Sequence, residues 1–128
     1  MKTRQFKLGP MDNFSYLLWD TDTREAAIVD PAWEPEKLAA FIKAEKLSPQ
    51  CLLLTHAHPD HVNAAAYFTG AWKDIPVYLH EADHFMLEAK LPGLKHINDG
   101  EVLQAGMLKV TVLHTPGHTP GSVCYRAG

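Results

Sequence analysis

The chain has little of what marks several large protein classes. Its two cysteines make neither a disulfide framework nor a zinc-finger spacing. Its 12 Lys and Arg residues are outnumbered by 15 Asp and Glu residues, and no basic cluster is visible, which disfavours nucleic-acid binding. Apolar runs are only a few residues long, so no segment is predicted to span a membrane. The first residues lack the apolar stretch of a signal peptide, and a cytoplasmic location is therefore the default expectation.

The composition that is present suits one globular domain. The 128 residues are 46% hydrophobic and 21% charged, and they contain no repeat, low-complexity segment or linker. We therefore expect a single domain over residues 1–128. Cys51 and Cys124 both fall in apolar, strand-like runs, and we interpret both as small core residues.

Strand-like and helix-like segments are mixed along the chain. Strands are predicted over residues 14–20, 25–29, 50–55, 76–79, 101–103, 108–113 and 122–125, and helices over 35–45, 60–68 and 81–90. The first two strands flank a turn and form a hairpin. The apolar run from Cys51 to Leu54 is typical of a strand that is covered on both faces. The pattern predicts a layered α/β (α+β) domain with helices packed on sheet faces.

The segment Thr55–His61, which reads T-H-A-H-P-D-H, concentrates side chains that bind metals. It directly follows the buried-looking strand, where proteins of this class place their chemistry. Residues two apart in an extended segment point the same way, so His56 and His58 can approach one metal ion together. Asp60 and His61 follow where the chain turns, and they can reach a second point nearby. These ligands suit zinc, iron or manganese.

A second loop, Thr115–Ser122, places two Pro-Gly pairs around His118. Such a loop can be tight and preorganised, so holding its side chain on a metal costs little entropy. Alone it is a turn that contains a histidine, but beside the first motif it predicts a metal ligand. With His56 and His58, His118 would complete a three-histidine site that keeps a position open for water. That composition is typical of a catalytic metal site rather than a structural one.

Together the two motifs resemble those of the metallo-β-lactamase superfamily. Thr55–His61 is similar to its T-H-x-H-x-D-H signature, and Thr115–Ser122 to its downstream T-P-G-H-T-P-G-S loop. Met11–Phe14 and Ala27–Pro31 resemble the opening strands of the glyoxalase II-like, or hydroxyacylglutathione hydrolase-like, branch. The resemblance extends over nearly the whole chain. It implies an αββα sandwich, of which we expect this chain to be the N-terminal half to two thirds, truncated after the third histidine motif.

The resemblance also implies roles for individual residues. It assigns three histidines to a first metal and two further residues to a second: His56, His58 and His118, then Asp60 and His61. Asp30 would orient one of these ligands through a hydrogen bond. The family pattern continues with a bridging aspartate and a final histidine, neither of which is in this sequence. We expect one or two ions, with zinc favoured over iron and manganese.

The implied activity is hydrolysis of a small-molecule ester or thioester by a metal-activated water. Asp60 would orient that water or act as its base. Two alternatives stay open, namely a metal-binding remnant or interaction module without turnover, and an iron-dependent enzyme similar to persulfide dioxygenases. We also expect the truncated sheet to leave an open edge, which favours a homodimer.

The other histidines are interpreted differently. Residues 80–84 read H-E-A-D-H and fit the zincin motif, but the preceding strand places His80 at a strand end or helix cap rather than inside a helix. We interpret this segment as a polar helix start. His114 shares a strand face with two valines and is predicted to have a core or supporting role. His96 is predicted to be a solvated loop residue.

Overall fold

The computed structural model describes residues 1–87 and 90–127. The elements of the first half are β1 (Lys2–Leu8), β2 (Asn13–Trp19), β3 (Glu25–Val29), α1 (Pro35–Ala44), β4 (Ser48–Leu53), α2 (Pro59–Val62) and α3 (Ala65–Ala71). Those of the second half are β5 (Val77–His80), a 3₁₀ helix (Glu81–Met86), β6 (Leu94–Ile97), β7 (Val102–Ala105), β8 (Leu108–His114) and β9 (Val123–Ala127). None of the described helices is long and apolar enough to cross a bilayer.

The strands form two sheets, which confirms the predicted mixed α/β class. The six-stranded sheet has the order β1-β2-β3-β4-β5-β6. Its first three strands are antiparallel, and β3 to β6 run parallel. The predicted hairpin is the antiparallel pair β2 and β3, in which Tyr16 lies opposite Val29. The three-stranded sheet has the order β7-β8-β9 and is antiparallel throughout.

Neighbouring residues of the central strands belong to two different cores. In β4 and the residue after it, Leu52 and Leu54 pack in the core that the helices α1 and α3 cover. Cys51 and Leu53 pack in the core between the two sheets. This alternation follows from the two-residue period of a strand, and it explains why the run is apolar at every position. The predicted strand with two covered faces is therefore present.

The helix predicted after the first histidine motif is wrong in its extent. The structure has two short helices there, α2 and α3, separated by Asn63 and Ala64. The Ala64 N–H donates to the carbonyl of Pro31 at 3.2 Å, and the Trp33 N–H donates to Oδ1 of Asn63 at 2.5 Å. The first bond diverts the Ala64 N–H from the helical ladder, and the second anchors the side chain of Asn63. The second helix also runs three residues beyond Phe68, where the predicted helix ends.

Three further elements differ from the predictions. The helix predicted over residues 81–90 is a 3₁₀ helix that ends at Met86, and residues 88 and 89 lie outside the described part of the chain. A proline such as Pro92 indicates only where a helix cannot continue, not where it ends, which is why the sequence predicts a longer helix here. Strands β1 and β6 were not predicted. Within β6 only Ile97 is buried, so its alternation is too weak to be read from the sequence.

The two cysteines have different surroundings. Cys51 is buried, and burial raises the pKa of its thiol to about 12. Cys124 is exposed, so its interpretation as a core residue was wrong. It lies opposite Leu113 on the outer face of the three-stranded sheet, whereas its neighbour Val123 points into the core. Among the described strands β9 is an edge strand, and its pairing with a second copy stays a prediction.

Candidate metal centre

The loop that follows β4 and the loop that joins β8 to β9 meet at one end of the two sheets. The Val123 N–H donates to the carbonyl of Thr55 at 2.9 Å, so the start of β9 is tied to the first loop. The phenol of Tyr125 donates to the carbonyl of Leu54 at 2.6 Å. The second loop is closed by the Thr115 N–H, which donates to the carbonyl of Ser122 at 2.8 Å. Side chains that are far apart in sequence thus meet at this end.

Three of the predicted ligands come together there. One ring nitrogen from each of His56, His58 and His118 lies within 4.8 Å of the others. The ring centroids of the three pairs are 4.9, 5.0 and 4.7 Å apart, with interplanar angles of 85, 83 and 82°. The rings therefore stand edge-on around a common point. His56 is buried, His58 is half-buried and His118 is exposed, so the group opens to solvent on one side.

A chain of hydrogen bonds fixes the orientation of His56. Asp30 accepts from the Thr55 N–H at 2.8 Å and from the Thr55 hydroxyl at 2.5 Å. Since the single hydroxyl proton is donated to Asp30, the hydroxyl oxygen accepts from Nδ1–H of His56 at 2.9 Å. That tautomer leaves a lone pair on Nε2. Burial lowers the pKa of His56, with a further contribution from His61, so the ring favours the neutral form that metals bind.

Two ring nitrogens at this centre are buried without a hydrogen bond. Nε2 of His56 and Nδ1 of His61 are buried, and neither makes a hydrogen bond within the described part of the chain. An unpaired buried polar atom costs about 1–3 kcal/mol, so such atoms are rare unless another group satisfies them. Imidazole nitrogens that converge in this way suit a divalent transition-metal ion. The residues present therefore fit a metal.

Asp30 and His61 form a second group with His56. Ligand atoms of the three lie within 4.8 Å of one another, and Nδ1 of His61 is 3.5 Å from Oδ2 of Asp30. The Asp30 carboxylate raises the pKa of His61, although burial opposes this. Asp60, the predicted partner of His61, is outside this group, and its Oδ2 lies 3.7 Å from Nε2 of His61. Asp30 therefore contributes a potential ligand atom to this second group, whereas the prediction gave it only the role of orienting a ligand.

Sequence reasoning missed Asn13, which lies next to Asp60. Nδ2 of Asn13 donates to Oδ2 of Asp60 at 2.9 Å and lies 3.3 Å from Nε2 of His61. The indole N–H of Trp33 donates to Oδ1 of Asn13 at 2.8 Å and so fixes the direction of the amide. Partial burial raises the pKa of Asp60, but the hydrogen bond from Asn13 and the nearby His61 outweigh it and lower the pKa overall. The side chain of Asp60 is therefore held ionised.

Residues 8–128 match the family model of the metallo-beta-lactamase superfamily. The chain belongs to this superfamily. Membership accounts for the mixed α/β framework of the chain.

Individual members of the superfamily are similar over nearly all of the chain. "Probable metallo-hydrolase YqgX" of Bacillus subtilis is 36% identical, and the match covers 98% of this chain and 65% of that protein. "Hydroxyacylglutathione hydrolase GloC" of Haemophilus influenzae is 37% identical over 84% of this chain and 57% of its own length. The crystal structure of BLEG-1 B3 metallo-beta-lactamase superposes with a TM-score of 0.86 at 35% identity, covering 98% of this chain and 67% of that one. The chain thus spans between half and two thirds of the length of these two curated relatives.

The remaining histidines lie outside the centre of this superfamily member. The ring of His80 stacks on that of His114 at 4.0 Å, and Nδ1 of His80 accepts from the Ala82 N–H at 3.0 Å. His96 is exposed, as predicted, but it lies in a strand, β6, rather than in a loop, and its Nε2 has a partner 3.0 Å away in Nδ1 of His84. Among the described residues, neither His80 nor His84 belongs to a group of three potential metal ligands. His80 ends β5 and caps the 3₁₀ helix, which confirms the predicted position at a strand end or helix cap.

An apolar cavity of about 220 Å³ adjoins the first histidine loop. Ala57 and Pro59, which alternate with the histidines, form part of its wall. Val62, Met86 and Leu87 are among the apolar residues that complete the lining. Because Ala57 and Pro59 alternate with His56 and His58, this cavity lies on the side of the loop that faces away from the three-histidine group.

Proposed function

We propose that this chain is a metal-dependent hydrolase of thioesters or esters, of the hydroxyacylglutathione hydrolase kind. The observation on which the proposal rests is the pair of buried, unpartnered ring nitrogens on His56 and His61 beside the three-histidine group. The two relatives, which are named as a probable metallo-hydrolase and a hydroxyacylglutathione hydrolase, support the same reaction class.

Zinc is the ion that we propose for this centre. His56, His58 and His118 would hold it. The family resemblance implies that His61 would hold a second ion with Asp60, which lies outside the second group of converging ligand atoms, Asp30, His56 and His61. Three neutral histidines are a common ligand set of catalytic zinc sites, although iron and manganese accept the same donors. When bound, the ion supplies Lewis acidity, which lowers the pKa of a water molecule and polarises a substrate carbonyl.

The protein's own contribution is to orient the reacting groups. Asp60 is ionised and fixed by Asn13, so its carboxylate can accept a hydrogen bond from the attacking water and set its direction. Because the pKa of Asp60 is lowered, the carboxylate is a weak base near neutral pH, and we assign it an orienting role ahead of a basic one. His56 needs no reorientation, since Thr55 already holds its tautomer.

The open side of the centre determines how a substrate could reach it. His118 is exposed, so a substrate carbonyl can approach the three-histidine group from solvent on that side. Small thioesters and esters meet this requirement.

The test is hydrolysis by protein loaded with zinc. A hydroxyacyl-glutathione thioester and its oxygen-ester analogue would be offered to the zinc-loaded protein, to protein stripped with a chelator and to protein reloaded with zinc. We expect thiol release that disappears with the metal and returns with it. In Asp60→Asn, kcat should fall by roughly 10²–10⁴ while the zinc held by the three histidines stays bound. Asp22→Asn, which changes an exposed turn residue, should behave like the wild type.

Two results would contradict this proposal. Protein that binds zinc yet hydrolyses neither substrate would be a metal-binding module without this turnover. Iron-loaded protein that consumes oxygen with a persulfide substrate, and leaves the thioester intact, would instead be an enzyme of the dioxygenase kind.

A further inference from the structure

Asp83 is a completely buried carboxylate in the middle of the 3₁₀ helix. No ion pair with a cationic side chain is found for it among the described residues. A buried carboxylate without a cation requires several hydrogen-bond donors, because removal from water otherwise disfavours its charge. The position of those donors indicates what Asp83 does.

The donors to Asp83 come from both histidine loops. Oδ2 accepts from the Ala57 N–H at 3.1 Å and from the Thr119 hydroxyl at 2.7 Å. Oδ1 accepts from the Gly121 N–H at 2.6 Å. Ala57 lies between His56 and His58 in the sequence, and Thr119 directly follows His118. One side chain therefore joins the segments that bear all three members of the histidine group.

The second loop is shaped to receive this carboxylate. A Cβ atom at Gly121 would lie 2.7 Å from Cγ and Oδ1 of Asp83, so any other residue would displace it. The Thr119 hydroxyl, whose proton goes to Asp83, can accept from the Ser122 hydroxyl at 2.7 Å. The Ser122 oxygen in turn accepts from the Thr119 N–H at 3.0 Å. Thr119, Gly121 and Ser122 thus form one network with Asp83 at its end.

A carboxylate suits this position better than an amide of the same shape. Ionised Asp83 only accepts hydrogen bonds, and its three partners can all donate. An asparagine there would direct its NH₂ group at the Ala57 N–H and the Thr119 hydroxyl, or at the Gly121 N–H. At least one backbone N–H would then be left buried and facing another donor.

We propose that Asp83 is a positioning residue, which holds the His118 loop against the His56–His58 loop and so preorganises the three-histidine metal group. This inference rests on the proposed metal-binding function. Asp83 contacts none of the three rings, and it acts through the backbone of Ala57 and the network of Thr119. None of its three hydrogen-bond partners is a proposed metal-ligand atom, so we expect its contribution to be present in metal-free protein as well.

The first test compares Asp83→Asn with Glu81→Gln. Glu81 is exposed on the same 3₁₀ helix, so its variant removes the same charge without touching the loops. We expect zinc affinity, measured by competition with a chromophoric chelator, to fall roughly 10–100-fold in Asp83→Asn, as for other outer partners of metal ligands, and to be unchanged in Glu81→Gln. Amide hydrogen exchange of the metal-free protein should become faster at Ala57 and Gly121 in Asp83→Asn alone.

A second pair of variants covers the case in which Asp83→Asn does not fold. Thr119→Val removes the hydroxyl that binds Asp83 at nearly the same volume, and Thr119→Ser restores it. Zinc affinity should fall in the valine variant and recover in the serine variant. If the melting temperature falls while zinc affinity stays at the wild-type value in Asp83→Asn or in Thr119→Val, Asp83 is merely structural and the positioning role is overturned.

The two proposals fail in different ways. If neither the wild type nor Glu81→Gln binds zinc, iron or manganese, the proposed function is wrong, and Asp83 has no metal group to position. If both bind zinc and Asp83→Asn binds it equally well, only the inference about Asp83 is wrong.

Discussion

The eight histidines of this chain divide into two groups of four that differ in what their nitrogens contact. The site group consists of His56, His58, His61 and His118. The outer group consists of His80, His84, His96 and His114. Ring pairs in both groups are close, and the His84–His96 pair, at 5.0 Å and 89°, even has the perpendicular geometry of the pairs in the site group.

The difference between the groups lies in the partners of the ring nitrogens. In the site group, buried nitrogens of His56 and His61 are unpartnered and face a shared centre. In the outer group, Nε2 of His114 donates to the carbonyl of Pro120 at 2.9 Å, and the His84 and His96 nitrogens bond to each other. Closeness of histidines is therefore weak evidence for a metal site. Convergence of ligand atoms from three residues, with buried nitrogens nearby that make no hydrogen bond, is much stronger evidence.

The largest expected difference in bound zinc is between the variants His118→Ala and His84→Ala. Removing His118 deletes a proposed ligand, so zinc affinity should fall by more than the roughly 10–100-fold that loss of an outer partner causes. Among the described residues His84 belongs to no group of three potential ligands, so its removal should leave bound metal unchanged. Elemental analysis of both purified variants, beside the wild type, measures this. Equal losses would mean that the outer group binds metal too.

A smaller effect is expected from Asn13→Ala, which alters the site group without removing a ring. Loss of the amide frees Asp60 and removes a neighbour of His61, so kcat/KM for the thioester should fall roughly 10–100-fold. Zinc held by the three histidines should stay bound, because Asn13 contacts none of them. Gln5→Ala is the matched control, since Gln5 is an exposed amide in the neighbouring strand that bonds only to the Tyr16 phenol. A similar loss in both variants would contradict a specific role of Asn13.

The smallest expected effect is on how the melting temperature depends on pH, and it arises from the outer group. Burial, followed by the nearby His114, lowers the pKa of His80, so the folded protein keeps this ring neutral. The stability that this contributes is complete above the ordinary histidine pKa and is lost as the pH falls through the lower folded-state value. His80→Asn keeps a side-chain acceptor for the Ala82 N–H but does not titrate. The melting temperature of the metal-free variant should therefore fall less than that of the wild type between about pH 8 and pH 5.

A parallel fall in both proteins would show that His80 does not contribute to acid destabilisation. The variant His114→Asn tests the cause of the lowered pKa, because it removes the ring that stacks on His80 while His80 itself remains. In that variant the pKa of His80 should rise toward its ordinary value, which can be followed from the chemical shift of its ring proton.

The parts of the site that could be predicted are those that local patterns define. Spacing by two places His56 and His58 on one side of an extended segment, and an all-apolar strand before them indicates a sheet end. Pro and Gly around His118 indicate a tight loop. Each of these inferences needs only a few neighbouring residues.

The parts that could not be predicted depend on long-range packing. Asn13 and Asp60 are 47 positions apart, and Asp83 and Gly121 are 38 apart, so no local pattern connects them. The pattern of residues 80–84 draws attention to its two histidines, whereas the buried member of the motif is Asp83. No sequence pattern around Asp83 or Asn13 predicts burial, and only the folded structure shows that both are buried.

The two histidine loops belong to different sheets, and this has a consequence for folding. His58 follows β4 of the six-stranded sheet. His118 lies 60 positions later, in the loop between β8 and β9 of the three-stranded sheet. An ion held by both would act as a covalent-like cross-link that closes a long loop, and closing a long loop removes much conformational entropy from the unfolded chain. The metal would then also stabilise the packing of the two sheets against each other. Metal-free protein should therefore unfold at a lower temperature than loaded protein, and the difference should grow with the free metal concentration of the loaded sample.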